Sequence, residues 1–399
     1  MVATLCRKAI PRCIRAAAVA SILALAAPAY AQGPPYSFQT FNYPSAKSTR
    51  PYGINNSGVA VGTFVDQADV SHGFKYEQGA FTVLDFPGST HNHVLGINHQ
   101  GQILGSHSFN GINGPWHSFV YENATFTQFD FPGWESDARG INASGSIVGV
   151  YNSSGLLPTH GFTRTGTDTY ATLDYPGALY TFLWGINDAG TISGSFIAPN
   201  DPYFFDRGFV YSKGVFTRID FPGAFETNVM GINNNEDMTG SYLLAGGVVN
   251  SFVYTQGRIR AFSYPGATNT RAIAINDARH VAGFYFSAAC PEGCGFVAQP
   301  TTGLPRCDQT FAMSYAAGTL NLTFTLATTT PMTWETWLAG SGGTVRLWSI
   351  PLAATPKTAP FSVPLSLRPA GKLTGFSGLS IPGTGMVCAD YRSIDTGSQ

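Results

Sequence analysis

Acids and histidines at non-repeated positions are the first candidates for chemistry in this sequence. The acids are Glu135, Asp137, Asp201, Asp206 and Glu226. A pair of carboxyl groups would suit glycoside hydrolysis, in which one protonates the leaving oxygen and the other acts as base or nucleophile. Their spacing singles out no pair. Two histidines, His91 and His93, share one loop, where solvated side chains are the simpler interpretation.

Histidine also occurs at equivalent positions of a repeated phrase, which suggests metal ligands around a pore. Three copies begin one segment with histidine: His72, His117 and His160. The other three copies hold different polar residues: Arg207, Asn250 and Cys294. A structural hydrogen bond at the start of a strand fits all six, so we predict no metal and no cofactor. Four acids recur in the same way and are assigned to turns or packing: Asp85, Asp130, Asp174 and Asp220.

Aromatic side chains stack on sugar rings, so aromatics in the non-repeated segments are candidates for glycan binding. They are Trp134, Trp184, Tyr180 and Tyr203. The alternative is that aromatics pack neighbouring structural units, since Phe and Tyr occur throughout the chain. The sequence contains no Gly-x-Ser-x-Gly, His-Glu-x-x-His or phosphate-loop motif.

The elements that carry these residues belong to a phrase that occurs six times, at steps of 43 to 46 residues. Its proline follows an aromatic residue at Pro44, Pro87, Pro132, Pro176, Pro222 and Pro265. Its Ile-Asn pair ends at Asn55, Asn98, Asn142, Asn187, Asn233 and Asn276. Aromatic and β-branched residues bounded by Gly, Pro and Asn predict four strands per unit. In the first unit strands a to d cover Tyr52–Asn55, Val59–Phe64, His72–Tyr76 and Ala80–Phe86.

Four antiparallel strands with this period are typical of a β-propeller blade. The array begins with a spare strand d at Phe38–Tyr43 and ends near Val297 without one. Pairing the two ends completes a sixth blade and removes two exposed sheet edges. We therefore predict an all-β fold with a six-bladed propeller over residues 32–300, closed by its N-terminal strand. Open superhelical stacking of the repeats is the alternative.

The connections between strands divide the ring into two unlike faces. Most a–b connections are Asn-x-x-Gly, a type I turn signal, but Glu236 and Arg279 replace Gly in two copies. Those two turns must change geometry or strain a residue other than glycine. In a meander the a–b and c–d turns share one face, here called the uniform face because they are short and similar. The b–c and d–a loops form the opposite, variable face, and they differ in sequence and length.

Loops on a rigid scaffold commonly bind ligands, so we predict binding on the variable face. Drift of unconstrained loops is the alternative explanation of their diversity. The candidate contacts are His91, His93, Trp134, Glu135, Asp137, Tyr203, Glu226 and Arg271.

The repeats resemble the extracellular HAF-family repeat over about residues 38–299. The resemblance rests on His72-Gly73-Phe74 and His117-Ser118-Phe119, where Gly or Ser replaces the family's Ala. It also rests on the Gly-Ile-Asn phrases at Gly53–Gly62 and Gly140–Gly149. This resemblance implies an exported β-repeat protein and brings no catalytic residues.

The first 31 residues have the pattern of a secretory signal peptide. Basic residues precede an apolar run at Ala16–Ala27 and an Ala-Tyr-Ala cleavage pattern that ends at Ala31. The run is too short to span a bilayer, so we predict a secreted or periplasmic protein without a membrane span. After cleavage 18 basic and 23 acidic residues remain, a net charge of −5, which argues against a nucleic-acid partner.

Four cysteines remain after cleavage, and an even number in an exported chain suggests two disulfides. Of the three pairings we favour Cys290–Cys294 and Cys307–Cys388. Residues 301–306 are predicted to be a linker. About seven strands follow in residues 307–399, where apolar residues alternate with polar ones, which predicts a small β-sandwich.

Together these patterns favour an exported binding or scaffold protein over an enzyme, with a glycan or another extracellular protein as partner. The alternative is a hydrolase or lyase that acts on extracellular polysaccharide with variable-face carboxylates. Two or three carboxylates that converge in a central pocket would favour the enzyme. A pocket lined by aromatic or amide groups would favour binding.

Overall fold

The computed structural model describes residues 36–301, apart from 153–158, 200, 202, 222, 245–246 and 256, together with seven strands between residues 308 and 395. These described residues form strands, turns and loops, with no helix among them. The predicted signal peptide, residues 302–306 of the predicted linker and Cys307 lie outside the described residues.

Four-stranded antiparallel sheets repeat along the described chain, which begins with β1 (Tyr36–Phe41). The first blade consists of β2 (Ser48–Ile54), β3 (Ala60–Val65), β4 (Ser71–Glu77) and β5 (Ala80–Val83). The second consists of β6 (His91–Ile97), β7 (Ile103–Ser108), β8 (His117–Glu122) and β9 (Thr125–Phe129). The third consists of β10 (Ser136–Ile141), β11 (Ile147–Asn152), β12 (Thr159–Thr165) and β13 (Thr169–Thr172).

The remaining blades follow the same order of strands. The fourth consists of β14 (Tyr180–Ile186), β15 (Ile192–Ile197), β16 (Arg207–Ser212) and β17 (Val215–Ile219). The fifth consists of β18 (Glu226–Ile232), β19 (Met238–Leu243), β20 (Val249–Thr255) and β21 (Arg258–Phe262). The sixth consists of β22 (Asn269–Ile275), β23 (Val281–Ser287), β24 (Cys290–Pro300) and the N-terminal β1.

The sixth blade joins the two ends of the array. β1 pairs antiparallel with β24, with Phe38 opposite Ala298. The prediction of a six-bladed propeller closed by its N-terminal strand is therefore confirmed. Closure satisfies the backbone groups along this side of β24, which would otherwise form an exposed edge.

The asparagine of each Ile-Asn pair has two structural functions. Asn55 Oδ1 accepts the backbone N–H groups of Ser57 and Val59, which fixes the a–b turn. At five of the six positions the side-chain amide also donates to the backbone carbonyl of the equivalent asparagine in the next blade. These donors are Asn98, Asn142, Asn187, Asn233 and Asn276. The last donates to Asn55, so the chain of bonds passes from the sixth blade to the first.

The two a–b turns that lack glycine keep the geometry of the others. Glu236 has φ 60° and Arg279 has φ 62°, whereas Gly58 at the equivalent position has φ 79°. Both residues therefore occupy the left-handed region, so the strained alternative is the correct one. Arg279 also pairs with the buried carboxylate of Asp237, 2.8 Å away in the neighbouring blade.

Aromatic side chains pack the blades against each other. The phenylalanine of each strand c is fully buried: Phe74, Phe119, Phe162, Phe209, Phe252 and Phe296. The aromatic residue before each proline stacks on a ring in strand b of the next blade, with ring centroids 3.5 to 3.9 Å apart. The pairs are Tyr43–Phe64, Phe86–His107, Phe131–Tyr151, Tyr175–Phe196, Phe221–Tyr242 and Tyr264–Tyr285. For these repeated aromatics, packing between blades is therefore the observed role.

The C-terminal region contains seven strands, the number predicted. They are β25 (Asp308–Ala316), β26 (Thr319–Ala327), β27 (Met332–Gly340), β28 (Gly343–Leu352), β29 (Lys357–Pro364), β30 (Lys372–Ile381) and β31 (Gly385–Asp395). β25, β26 and β29 form one sheet, and β31, β30, β27 and β28 continue the fifth blade beyond β21. The two-layer packing of a sandwich and the Cys307–Cys388 disulfide stay predictions. Within the sixth blade the predicted Cys290–Cys294 disulfide is confirmed.

Candidate functional site

The first strand of each blade, strand a, is the inner strand of the ring and contains a β-bulge. The bulge determines which residue faces the centre of the ring. In β10, for example, pairing with β11 shifts between Ala138 and Gly140, so Arg139 is the extra residue. A bulge re-aims the side chain at the extra position. The six bulge residues differ from blade to blade and line a central cavity of about 130 Å³: Tyr52, Leu95, Arg139, Trp184, Met230 and Ile273.

The residue after each bulge is small because neighbouring inner strands nearly touch there. A Cβ on Gly96 would lie 2.9 Å from the carbonyl oxygen of Arg139, and one on Gly231 would lie 2.8 Å from that of Ile273. At these two positions the close approach of the backbones thus requires glycine, whereas the sixth blade has Ala274 at the equivalent position. The fixed Gly-Ile-Asn phrase holds the inner strands together, and the residue before it is free to vary.

A cleft of about 420 Å³ opens on the variable face between the second and third blades. Its volume lies in the range typical of small-molecule sites. One wall is a stack of His93 on Trp116, with ring centroids 4.3 Å apart. The cleft is also lined by Glu135 from the loop before β10 and by Asp137 and Arg139 of β10. Further lining comes from Ser106, Tyr151, Asn152 and Phe182.

The polar groups of this cleft are held by one another. Asp137 Oδ2 pairs with the Arg139 guanidinium at 2.8 Å, and Asp137 Oδ1 accepts a hydrogen bond from Ser106 Oγ at 3.1 Å. The Arg139 guanidinium also lies over the Trp184 ring, 4.2 Å from its centroid, which is a cation–π contact. Arg139 Nε is buried without a hydrogen-bond partner among the described residues. The guanidinium is therefore fixed in position with one donor unused.

His93 is held in its neutral form. Its pKa is lowered to about 4, chiefly by burial and in part by the nearby charge of Arg139, while the Asp137 carboxylate opposes the change. A neutral imidazole keeps one nitrogen as donor and one as acceptor. Stacked on Trp116, it offers the cleft a flat wall with a polar edge.

The structure brings together three of the eight predicted contact residues. His93, Glu135 and Asp137 line the cleft. His91 lies two residues before His93 at the start of β6, with its Nδ1 buried and without a partner among the described residues. Trp134 is 42% exposed beside the cleft but does not line it.

The other three predicted contacts lie on other blades. Tyr203 and Glu226 belong to the variable face between the fourth and fifth blades, and Arg271 lies on β22 of the sixth blade. Trp184 lines the central cavity and donates a hydrogen bond to Ser195 Oγ at 3.0 Å. Tyr180 is buried, which leaves Trp134 and Tyr203 as the exposed aromatics of the predicted set.

Four important residues of the cleft were missed at the level of sequence: Trp116, Arg139, Tyr151 and Phe182. Arg139 carries a usable signal, because an alignment of the five Gly-Ile-Asn phrases and the Ala-Ile-Asn phrase of the sixth blade shows different residue types at the preceding position. Trp116 has none, since it directly precedes the histidine of strand c in a loop without repeated features.

The repeated histidines and acids form structural pairs. In three blades the histidine Nδ1 lies 2.7 to 2.8 Å from the aspartate Oδ2: His72–Asp85, His117–Asp130 and His160–Asp174. Asp85 Oδ1 also accepts the N–H of Gly73, which ties strand c to the end of strand d. In the sixth blade Asn42 takes the place of aspartate and donates to Cys294 Sγ. The structural hydrogen-bond interpretation is confirmed, and the described residues contain no group of three or more His, Cys, Asp or Glu placed to hold a metal ion.

Comparison with known proteins adds information on the fold alone. No protein-family model matches the chain, and no curated protein matches it in sequence. Its structure is similar to a triple arginine-to-alanine mutant of AofleA from Arthrobotrys oligospora, with TM-score 0.39, 10% identity, and coverage of 84% of this chain and 94% of that one. An Aleuria aurantia lectin mutant in complex with alpha-methyl-L-fucoside is similar with a TM-score of 0.37 and 12% identity. The match covers 67% of this chain and 99% of the lectin chain. A prolyl endopeptidase is similar with a TM-score of 0.41 and 11% identity. The match covers 84% of this chain and 55% of the endopeptidase chain.

Between residues 36 and 395, in the parts that the structure describes, no helix is long and apolar enough to cross a bilayer.

Proposed function

We propose that this chain is an exported binding protein that holds a glycan in the cleft between its second and third blades. One observation carries the proposal: flat aromatic groups and fixed polar groups converge in that cleft. The Trp116–His93 stack offers a surface for the apolar face of a sugar ring. Arg139 and Asn152 supply donors, and Glu135 supplies acceptors, for its hydroxyl groups.

The arrangement favours binding over catalysis in this cleft. Hydrolysis by two carboxyl groups needs one of them to carry a proton to the leaving oxygen. Both carboxylate oxygens of Asp137 already have partners, since Oδ2 pairs with Arg139 and Oδ1 accepts a hydrogen bond from Ser106. Arg139 is in turn held against Trp184. Rigid, mutually bonded groups are suited to selecting a ligand with little loss of conformational entropy.

Export and the resemblance to HAF-family repeats belong to the same proposal. The signal-peptide pattern of residues 1–31 supports export, and a ligand outside the cytoplasm fits a mature chain without nucleic-acid-binding charge. N-terminal sequencing of the exported protein tests this part. We expect the mature chain to begin at about Gln32, and an uncleaved cytoplasmic chain would contradict it.

The cleft is tested by screening the mature protein against immobilised glycans and titrating the best ligand by calorimetry. The Trp116→Ala variant should bind at least about tenfold more weakly, because it loses the stacking wall. Trp134→Ala is the matched control, since it removes an exposed tryptophan beside the cleft, and it should bind as the wild type does. Equal losses in the two variants, or a loss in Trp134→Ala alone, would contradict the proposal.

A second candidate function is hydrolysis at a different place on the variable face. Asp206 and Glu226 lie close enough for the Glu226 carboxylate to help raise the pKa of Asp206 to about 7, after burial as the larger cause. Glycosidases use two neighbouring carboxyl groups, one of which has a raised pKa and acts as the acid. Release of reducing ends from the bound glycan, abolished in Asp206→Asn, would support this function. Absence of release from every glycan bound would exclude it for those glycans.

A further inference from the structure

An exposed group of aromatic rings lies on the variable face between the fourth and fifth blades. Tyr203, Phe204 and Phe225 are 74%, 56% and 49% exposed. Phe205 connects Tyr203 and Phe225, with its ring centroid 5.5 Å from that of Tyr203 and 5.8 Å from that of Phe225. The planes of these neighbours differ by only 30° and 25°. We call these four residues the aromatic platform. Exposed apolar surface of this kind is a common mark of an interaction site.

The loops that carry the platform are fixed by hydrogen bonds. Asp201 Oδ1 accepts the N–H of Tyr203 at 3.0 Å, and Asp201 Oδ2 pairs with Arg207 at 3.0 Å. Arg207 also donates to the carbonyl oxygen of Phe225, which joins the loop before β16 to the loop before β18. Phe204 has φ 55°, a conformation that is costly for a residue with a side chain. The exposed rings are thus held in place by the protein.

Two carboxyl groups lie at the edge of the platform. Asp206 follows Phe205 and Glu226 follows Phe225, and the N–H of Thr227 donates to the carbonyl oxygen of Asp206 at 2.9 Å. Asp206 Oδ1 is buried without a hydrogen-bond partner among the described residues. Glu226 Oε1 accepts one hydrogen bond, from Asn228 Nδ2 at 2.8 Å. Arg207, the cation of this region, is already committed to Asp201.

The charges around the platform therefore favour a cation. Aromatic faces attract cations, and carboxylates without a basic partner attract them more strongly. The burial of Asp206 and the charge of Glu226 raise the pKa of Asp206 to about 7, and Ser195, Asn228 and Arg207 oppose the rise. The cost of ionising Asp206 beside Glu226 would fall if a positive group lay between them.

We propose that the aromatic platform binds a glycan that carries protonated amines, with its sugar rings on Tyr203 and Phe225 and an ammonium group between Asp206 and Glu226. The ring faces supply apolar C–H groups for stacking, and the ammonium supplies three donors for the two carboxyl groups. This site shares no residue with the cleft between the second and third blades, so either site can fail without the other.

The test compares two oligosaccharides that differ in charge. The probes are a β-1,4-glucosamine oligomer and its fully N-acetylated counterpart of the same length, titrated into the mature protein at about pH 6, where amines are protonated. We expect the deacetylated oligomer to bind at least about tenfold more tightly. Similar affinities would show that the platform takes neutral rings and would overturn the proposal, as would the absence of binding by both.

Variants separate the platform from the carboxyl pair. Glu226→Gln keeps the shape of the side chain and should weaken binding of the deacetylated oligomer by about tenfold, with little change for the acetylated one. Tyr203→Ala should weaken both, and Trp116→Ala in the cleft should weaken neither. Unchanged melting curves establish that the variants are folded. Full affinity for the deacetylated oligomer in Glu226→Gln would overturn the proposal.

Proton exchange provides a second readout. A bound cation favours the ionised form of Asp206, so its pKa falls on binding and a proton is released at about pH 6. Calorimetry in two buffers of different ionisation enthalpy measures this release. The groups that face Asp206 are Glu226, Arg207 and, through Arg207, Asp201. Asp206→Asn should abolish the release, and an unchanged release in that variant would contradict the assignment.

Discussion

At the scale of single residues, the candidate cleft depends on side chains whose environment fixes their charge. His93 is the clearest case, because its imidazole is stacked on Trp116 and buried beside Asp137 and Arg139. Burial is the largest cause of its lowered pKa. A neutral histidine in the cleft wall is therefore a property of the folded state.

This property predicts a pH dependence of stability. The pKa of His93 falls from 6.5 to about 4 on folding, so the unfolded chain takes up the proton more readily. The free energy of unfolding is therefore highest above about pH 6.5 and decreases as the pH falls toward about 4. The total decrease due to His93 is about 3 kcal/mol. Urea unfolding between these pH values should show a smaller loss of stability in His93→Gln than in the wild type. Equal losses would contradict the assignment.

At the scale of elements, each blade is a meander whose turns and bulges are positioned by a few fixed residues. The asparagine of the Ile-Asn pair fixes the a–b turn, and the glycine before that pair allows close approach of the inner strands. The bulge residue just before this glycine is free to differ, as Arg139 and Trp184 do. The conserved geometry of the blade thus supports variation at the centre and on one face.

Two turns at equivalent positions give a matched prediction. Glu236→Gly should stabilise the protein by about 0.5–1 kcal/mol, because glycine adopts the left-handed conformation without strain. Arg279→Gly relieves the same strain but removes the ion pair of the buried Asp237, which leaves that carboxylate uncompensated. We expect Arg279→Gly to destabilise by about 3 kcal/mol. Thermal unfolding of the two variants measures both, and a shift of the same sign in each would contradict the account.

At the scale of the whole molecule, the described propeller is a closed ring, and its closure depends on one strand. β1 supplies the fourth strand of the sixth blade, and Tyr36 and Phe38 pack in the core there. Asn276 joins the sixth blade to the first. The integrity of both faces therefore depends on a segment far in sequence from the blade that it completes.

Removal of residues 32–43 tests ring closure. The truncated protein should lose the pairing of β1 with β24 and expose the edge of the sixth blade, so we expect severe destabilisation or aggregation. Its melting temperature and its elution on size-exclusion chromatography measure these effects. A truncated monomer that melts as the mature protein does would contradict closure by β1.

Sequence predicts the fold far better than it predicts the site. Repeated aromatic-Pro and Ile-Asn landmarks count the blades directly, and strand alternation sets their order. The cleft depends on contacts between residues that are far apart in sequence: Trp116 meets His93 only because β6 and β8 share a sheet, and Arg139 meets Trp184 of the next blade across two bulges. Such contacts leave no local pattern. The eight predicted residues were chosen from loop diversity, which identifies a face but not a place on it.

Hydrogen–deuterium exchange of the mature protein with and without its glycan tests the central claim, binding in the cleft, most directly. We predict protection in the segments around Trp116 and around Ser136–Arg139, with the a–b turns of the uniform face unchanged. Protection confined to the uniform face or to residues 308–395 would contradict the account, because the ligand would then occupy a surface that the cleft does not include.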